Sequence, residues 1–221
     1  MSLRRYNWME GVGHLRQNCD RMAAFIDAFG KRRLPIRSEG GLFSALARAI
    51  AYQQLSGKAA GTIHGRFLQL FPDGRPTPEH TVGLSPEQLR AVGLSRAKTL
   101  SILDLAERSM NGQLPTPRKM GGMDDEEIIE SLCTVRGIGP WTAQMYLIFN
   151  LGRPDVMPST DLGVQKGVQN IYRMRSLPAP AKVERKTRRL APFRSVASWY
   201  FWRASEAQWA AALARRDPGG A

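Results

Sequence analysis

The sequence has few cysteines and no long apolar run, and each shortage excludes a class of protein. Cys19 and Cys133 are the two cysteines among 221 residues. Two thiols cannot build a disulfide framework, a four-thiolate zinc site or a cysteine-ligated iron–sulfur cluster. The longest apolar stretch, residues 141–151, is interrupted by polar residues and is too short to span a bilayer. The N-terminus lacks the apolar core of a signal peptide, so we expect a cytoplasmic protein without membrane contact.

Acidic residues are also scarce, and the basic surplus is uneven. The chain carries 32 Lys plus Arg against 19 Asp plus Glu, which gives a formal net charge of +13. Eight of the cations lie between Arg173 and Arg194, where Glu184 is the only acid. A single charge run is usually a solvated helix face. Combined with the global excess, this run favours nucleic acid as a partner, because basic surfaces release counterions from phosphates. Acidic lipid is the competitor, but no segment adds a strong insertion face.

Apolar residues recur at helical spacing along most of the chain, and no alternating strand pattern is present. One stripe runs from Leu15 through Cys19 to Phe29 and ends at Gly30, a natural C-cap. The pattern therefore predicts an all-α protein. Further helix signals are the capping residues Ser56, Ser85 and Ser95, the acidic first turn at 124–127, and the segments 141–150, 160–172 and about 195–213. Connectors are predicted at 30–41, 72–86, 112–122, 152–158 and 178–180.

The segment Leu132–Ala143 predicts a tight turn between two helices. Gly137 and Gly139 lie in this turn, and glycine permits positive φ and close approach of another backbone. Amide groups at the start of the following helix could bind a phosphate with help from the helix dipole. Most such glycine pairs are ordinary helix–helix turns, so the segment is only a candidate anion site.

Asp161 follows Trp141 by twenty residues and begins another predicted helix. An aspartate at a helix start is favoured by the dipole and commonly does no more than cap the helix. The local sequence alone leaves capping as the simpler explanation.

Three ordered blocks resemble the helix-hairpin-helix DNA glycosylase superfamily, and within it the 3-methyladenine DNA glycosylase II branch. The first block is residues 48–60, the second combines the hairpin 132–143 with Asp161, and the third is residues 193–203. The resemblance covers about Leu42 to Arg203. Three blocks in order at matching spacing are more specific than any one motif.

The resemblance implies an all-α fold of two helical lobes with a cleft between them. One lobe would comprise 1–41 and 153–221, and the inner lobe 42–152 would carry the hairpin. The implied activity is hydrolysis of the N-glycosidic bond of 3-methyladenine-type bases in duplex DNA, the first step of base excision repair. Bifunctional relatives place a lysine nucleophile just after the hairpin, where this chain has Trp141, so no lyase activity is expected.

The resemblance also assigns roles to individual residues. Asp161 would be catalytic, and one carboxylate can suffice because an N-alkylated purine is already cationic. The other assignments fall into four groups: a base pocket of Trp141, Trp202, Tyr52 and Met145, a DNA plug of Gln53, Gln54 and Leu55, phosphate binding by Gly137, Ile138, Gly139 and Thr142, and carbonyls of Cys133, Val135 and Ile138 that could hold a structural Na⁺ or K⁺. No other cofactor is expected. The expected partner of this DNA-associated monomer is duplex DNA with a flipped base.

Several alternatives remain open at this point. Buried tryptophans at helical spacing are more often plain core, and Leu55 could be a buried residue at a helix end. Met145 stands where the best-known bacterial members have an aromatic residue, so the pocket could be wider. The chain could also be a non-catalytic hairpin DNA-binding protein, or a glycosylase for oxidised or deaminated bases.

Overall fold

A computed structural model describes residues 7–31, 33–37 and 40–206, and these residues contain helices but no strand. The all-α prediction is confirmed. Thirteen α-helices occur in the described residues: α1 Trp8–Asn18, α2 Asp20–Phe29, α3 Gly41–Tyr52, α4 Gly57–Leu68, α5 Pro78–Thr81, α6 Pro86–Ala91, α7 Arg96–Met110, α8 Pro117–Met120, α9 Asp125–Cys133, α10 Pro140–Tyr146, α11 Leu162–Tyr172, α12 Pro180–Thr187 and α13 Arg194–Ala204. A π-helical turn spans Leu147–Leu151 and a 3₁₀ turn spans Arg188–Leu190. The end of the last predicted helix, 207–213, lies outside the described residues.

The chain forms two compact units. The hairpin unit is the continuous stretch Arg37–Tyr146, and the terminal unit combines Ser2–Ile36 with Leu147–Ala221. These divisions fall a few residues before the lobe boundaries expected at 41 and 152. Among the helices of the described ranges, none is long and apolar enough to cross a bilayer.

Most predicted helix starts are confirmed by their capping hydrogen bonds. Ser56 and Ser95 accept the backbone N–H three residues on, at 3.4 Å and 3.3 Å. Ser85 and Asp124 each begin a full capping box, in which the side chain at the third helical position bonds back to the cap. Gly30 ends α2 at φ +95°, as its sequence position predicts. Local chemistry therefore sets these helix ends.

The first apolar stripe is one continuous face in the sequence but two helices in the structure. Cys19 is extended, with φ −157° and ψ 103°, and separates α1 from α2. The Asn18 side chain donates to the His14 carbonyl at 2.8 Å, which satisfies a helix-end acceptor and competes with continuation of the helix. Leu15, Cys19 and Met22 are nevertheless all buried, so the stripe predicted these core residues correctly. It gave no sign of the helix break at Cys19.

Short helices within the proline-rich segments were missed by the connector prediction. α5 and α8 lie inside two predicted connectors, and α12 starts at Pro180, the last residue of a third. α12 buries only Val183 and Thr187, one turn apart, and its other residues are mostly charged. A stripe of two residues is too weak to reveal a helix from apolar spacing alone. The predicted helix 141–150 is also divided, since α10 passes into the π-helical turn at Leu147.

In the terminal unit, α11 packs directly on the backbone of α13. A Cβ atom at Gly167 would lie 1.9 Å from the carbonyl oxygen of Phe201, so only glycine allows this approach. The Asn170 side chain donates to the Ala204 carbonyl at 2.8 Å and ties the two helices together. The earlier part of the chain joins the same core, where the rings of Trp8 and Tyr200 stack with centroids 6.1 Å apart. α13 is thus held close to α11 at the position of Trp202.

Candidate functional site

The Asp161 carboxylate lies at the N-terminus of α11 and is oriented by two hydrogen bonds. Its Oδ1 accepts the backbone N–H of Val164 at 2.8 Å and the indole Nε1–H of Trp202 at 2.8 Å. The first bond is an ordinary N-cap, so the capping interpretation is correct. The second bond comes from a residue 41 positions away on α13, and capping does not require it. Hydrogen bonds from N–H groups to a carboxylate are stronger than hydrogen bonds between neutral groups, and they fix the orientation of the carboxylate.

A glycine makes the approach of Trp202 possible. A Cβ atom at Gly163 would lie 2.8 Å from Cδ1 of Trp202 and 3.0 Å from Oδ1 of Asp161. The other side of the indole is supported by Phe149, whose ring stacks at 5.5 Å with an interplanar angle of 26°. The indole is therefore held between the first turn of α11 and an aromatic ring, with its N–H directed at the carboxylate.

The start of α13 is fixed by a bidentate ion pair. Arg194 donates from Nε to Asp155 Oδ1 and from Nη2 to Asp155 Oδ2, each at 2.8 Å. Ser195 Oγ accepts the backbone N–H of Val156 at 3.0 Å. Arg194, counted among the cations of the basic run, therefore anchors the segment before Asp161.

In the hairpin unit, the predicted turn connects α9 to α10 and is anchored to α7. Gly137 has φ +75°, and a Cβ there would lie 2.6 Å from Ser101 Oγ. The backbone N–H of Arg136 donates to Asp104 Oδ2 at 2.7 Å. Gly139 has no such constraint, because a Cβ there would meet nothing within 4 Å. The turn therefore requires glycine at the first of the two positions only.

The groups assigned to phosphate binding differ in burial and in whether they already form a hydrogen bond within the protein. The Ile138 N–H donates to the Val135 carbonyl at 3.1 Å, so that amide is already bonded inside the turn. Thr142 is buried, and its hydroxyl lies 3.5 Å from the Gln53 amide. The phosphate-binding assignments stay predictions, with the glycine amides as the better candidates.

The structure brings the predicted plug and the hairpin together. Gln53 Nε2 donates to the Gly137 carbonyl at 2.9 Å. Lys98 Nζ donates to the carbonyls of Ala51 and Gln53 at 2.9 Å and 2.7 Å, and burial lowers the pKa of Lys98. Lys98 fixes the backbone of the predicted plug but belongs to no sequence motif, and only its contact with a segment 45 residues away identifies it.

Gln54 and Leu55 form an exposed tip after α3. Gln54 has φ +56°, a left-handed conformation that costs a non-glycine residue about 1–2 kcal/mol. Leu55 is 40% exposed, so the buried-leucine alternative is wrong. Strained backbone beside an exposed apolar side chain is typical of functional segments.

The residues assigned to the base pocket lie in both units. Trp202 belongs to the terminal unit, whereas Tyr52, Trp141 and Met145 belong to the hairpin unit. Trp141 is 43% exposed and Met145 is half-buried. The Arg48 guanidinium lies 4.1 Å from the Tyr52 ring centroid and covers one face of that ring. A base that stacks on Tyr52 would have to use the other face.

A cation site in the hairpin would rest on backbone carbonyls. Carbonyl oxygens suit hard cations, and the Val135 oxygen, which already accepts one hydrogen bond, keeps a second lone pair. The carbonyls of Cys133 and Ile138 complete the predicted set, which stays a prediction. In the described part of the chain, no group of three His, Cys, Asp or Glu side chains could hold a metal ion.

Comparison with known proteins gives a consistent result. A model of the HhH-GPD superfamily base excision DNA repair proteins matches residues 47–193. The DNA-3-methyladenine glycosylase 1 of Schizosaccharomyces pombe is 36% identical over 193 residues, which cover 87% of this chain and 84% of that protein. The structure of an S. pombe 3-methyladenine DNA glycosylase in complex with abasic DNA aligns with a TM-score of 0.81 and 34% identity, over 90% of this chain and 98% of that one. A DNA-3-methyladenine glycosidase from Bacillus halodurans aligns with a TM-score of 0.80 and 32% identity, over 94% and 93% of the two chains.

Proposed function

Because the chain belongs to the HhH-GPD superfamily of base excision DNA repair proteins, we propose that it is a DNA glycosylase that removes alkylated bases of the 3-methyladenine type from duplex DNA. The observation that carries this proposal is the Asp161 carboxylate, which receives the Trp202 indole N–H in addition to its helix cap. A cap alone needs no such partner. The likeness to named glycosylases supplies the substrate class.

Cleavage of an N-glycosidic bond builds positive charge on the deoxyribose, as in other glycoside cleavages. A carboxylate held beside the sugar stabilises that charge and can orient the attacking water. The leaving base takes the bonding electrons, and an N-alkylated purine does so readily because it is already cationic. Asp161 therefore needs no second carboxylic acid as a partner.

The Trp202 indole N–H is expected to contribute to the rate by directing the Asp161 carboxylate. Trp202→Phe retains a ring to stack on Phe149 but removes the donor. Hydrogen bonds to charged groups contribute about 1.5–3 kcal/mol, so we expect the single-turnover excision rate to fall about 10- to 100-fold. The affinity for undamaged duplex DNA should stay unchanged in a fluorescence-anisotropy titration.

Trp199→Phe is the matched control, because the indole hydrogen bond to Asp161 comes from Trp202, whereas the Trp199 ring centroid lies 4.5 Å from the guanidinium carbon of Arg203. We expect it to retain the wild-type rate. A Trp202→Phe protein with the wild-type rate would show that the indole N–H does not assist catalysis.

The proposed reaction requires the damaged base to leave the stack, which costs a few kcal/mol. We propose that Leu55, whose side chain is exposed after α3, inserts into the vacated step. We expect Leu55→Ala to lower excision from duplex DNA about tenfold or more and to leave excision from single-stranded DNA unchanged. The two substrates are compared under single-turnover conditions.

Leu100→Ala serves as the control for Leu55→Ala, since Leu100 is similarly exposed, at 37%, on α7. Equal losses on duplex and single-stranded substrates would contradict the wedge role.

We propose that the enzyme is monofunctional and does not nick the strand. Schiff-base cleavage needs an amine at the reacting sugar, and Trp141 occupies the position where bifunctional relatives have lysine. Lys98 has a lowered pKa, but its ammonium donates to two backbone carbonyls. Borohydride treatment with abasic duplex should trap no covalent complex, and a trapped complex would overturn the proposal.

The decisive experiment is a lesion-panel excision assay with purified protein. Release of free 3-methyladenine from alkylated duplex supports the proposal. Release of only oxidised or deaminated bases would favour the alternative glycosylase, and tight salt-dependent binding with no release would favour a non-catalytic binder. We further propose that the protein acts as a monomer, which sedimentation of the protein–DNA complex tests.

A further inference from the structure

A cluster of cations surrounds Tyr172, at the opposite end of α11 from Asp161. Nη1 of Arg21, on α2, donates to the Tyr172 carbonyl at 2.6 Å. Lys186 Nζ, from α12, lies 5.8 Å from the Tyr172 ring centroid. Burial and the Cys19 thiol raise the pKa of Tyr172, whereas the guanidiniums of Arg189 and Arg21 oppose the rise. We call Arg21, Lys186 and Arg189, together with Tyr172, the Tyr172 patch.

Four further exposed cations lie close to this patch in the sequence, and none of them forms an ion pair with a described acid. They are Arg175, Lys182, Arg185 and Arg188, and we count them with the patch as its sequence neighbours. No ion pair joins any of these four, or Lys186 or Arg189, to a described residue. Glu184, the single acid of the segment, lies 3.6 Å from Arg194 instead. The patch therefore presents a concentrated positive field.

Helix stabilisation explains only part of this arrangement. Arg185 and Lys186 lie in the last turn of α12, where cations complement the dipole. Arg21 bonds the last carbonyl of α11 and so complements the dipole of that helix. Arg188 and Arg189 lie beyond α12, so the dipole of α12 gives no reason for them. Like charges brought together by three separate elements repel one another, and a bound polyanion would relieve the repulsion.

We propose that the Tyr172 patch binds the phosphodiester backbone of duplex DNA outside the damaged nucleotide and does not read sequence. The proposal rests on the proposed function for its choice of DNA as the polyanion. α11 rises about 15 Å from Leu162 to Tyr172, so the patch cannot touch the sugar at Asp161. Leu177 is the only large apolar side chain exposed between 173 and 190, which is too little to insert into lipid.

The test measures how salt weakens binding to undamaged duplex DNA. The triple variant Lys186→Gln, Arg188→Gln, Arg189→Gln removes three charges from exposed positions. Each lost phosphate contact reduces the slope of log K against log salt by about 0.9, so we expect a decrease of about 2–3. Single-turnover excision at saturating DNA should keep the wild-type rate, because no substituted residue belongs to the Asp161 site.

The control variant Arg90→Gln, Arg118→Gln, Lys119→Gln removes the same charge from exposed positions of the hairpin unit. Its slope should match the wild type. If the triple patch variant does not fold, Arg188→Glu alone should still lower the slope by about 1 or more.

A patch variant with the wild-type slope overturns this inference whether or not the protein excises bases. A wild-type protein that excises nothing, but whose slope falls in the patch variant, overturns the proposed function and leaves the patch standing. Loss of binding to anionic phosphatidylserine vesicles without a change in the DNA slope would also overturn the inference and assign the patch to lipid.

Discussion

Asp161→Asn is expected to excise methylated bases about 10²–10³ times more slowly than the wild type, because it removes the charge that stabilises the transition state. Asparagine keeps the size of the side chain and an oxygen that can accept from Val164 and Trp202. Asparagine and aspartate cap helices about equally well, so the free energy of unfolding should change by less than about 0.5 kcal/mol. Release of methylated base is measured under single-turnover conditions, and the dissociation constant for undamaged duplex in parallel.

Asp124→Asn provides a matched control for this experiment. Asp124 caps α9 through the same geometry, with Oδ1 accepting the Glu127 N–H at 2.7 Å, but no indole contacts it. The control should excise at the wild-type rate. Full activity of the Asp161→Asn protein would reduce Asp161 to a helix cap and remove the main support for the enzymatic proposal.

Gly167→Ala should be the most destabilising single-methyl change in the terminal unit. The added Cβ would lie 1.9 Å from the Phe201 carbonyl oxygen, and backbone cannot move aside as a flexible side chain can. Overpacking costs about 1–3 kcal/mol and occasionally more, and we expect a loss at or above about 3 kcal/mol in urea unfolding. Separation of α11 from α13 should also draw the Trp202 indole away from Asp161 and lower the excision rate.

Gly13→Ala isolates the steric effect from the helix propensity of alanine. Gly13 lies inside α1 of the same unit, and a Cβ there would meet nothing within 4 Å. Alanine at an open helical position stabilises by about 0.5–1 kcal/mol. If Gly167→Ala and Gly13→Ala had the same free energy of unfolding, α11 and α13 could separate without loss of stability.

Features set by neighbouring residues were predictable from the sequence. Ser85 and Asp124 mark helix starts because the capping atoms come from within the same four residues. The break at Cys19 was not predictable from apolar spacing, since the stripe is continuous and the competing bond of the Asn18 side chain leaves no mark on it. α12 was missed because it buries only two side chains.

The residues of the candidate site were predictable from the sequence, but the contacts between them were not. The family resemblance singled out Asp161, Trp202 and Gln53, and the structure gives each of them a defined partner. Those partners are 41 and 84 positions away in sequence, so no local pattern could pair them. Gly163 and Gly167 resemble ordinary helical glycines in sequence, and only the approach of α13 reveals why a side chain is excluded there.

The division of the chain into one continuous and one split unit has a consequence for biosynthesis. Domains generally fold as they emerge from the ribosome, N-terminal parts first. The hairpin unit is a single stretch and can close its core once Tyr146 has been synthesised. The terminal unit cannot complete its core until α13 has been synthesised, because Trp8 of α1 stacks on Tyr200 of α13, which is translated 192 residues later. The apolar side chains of α1 and α2 therefore lack their α13 partners until late in translation.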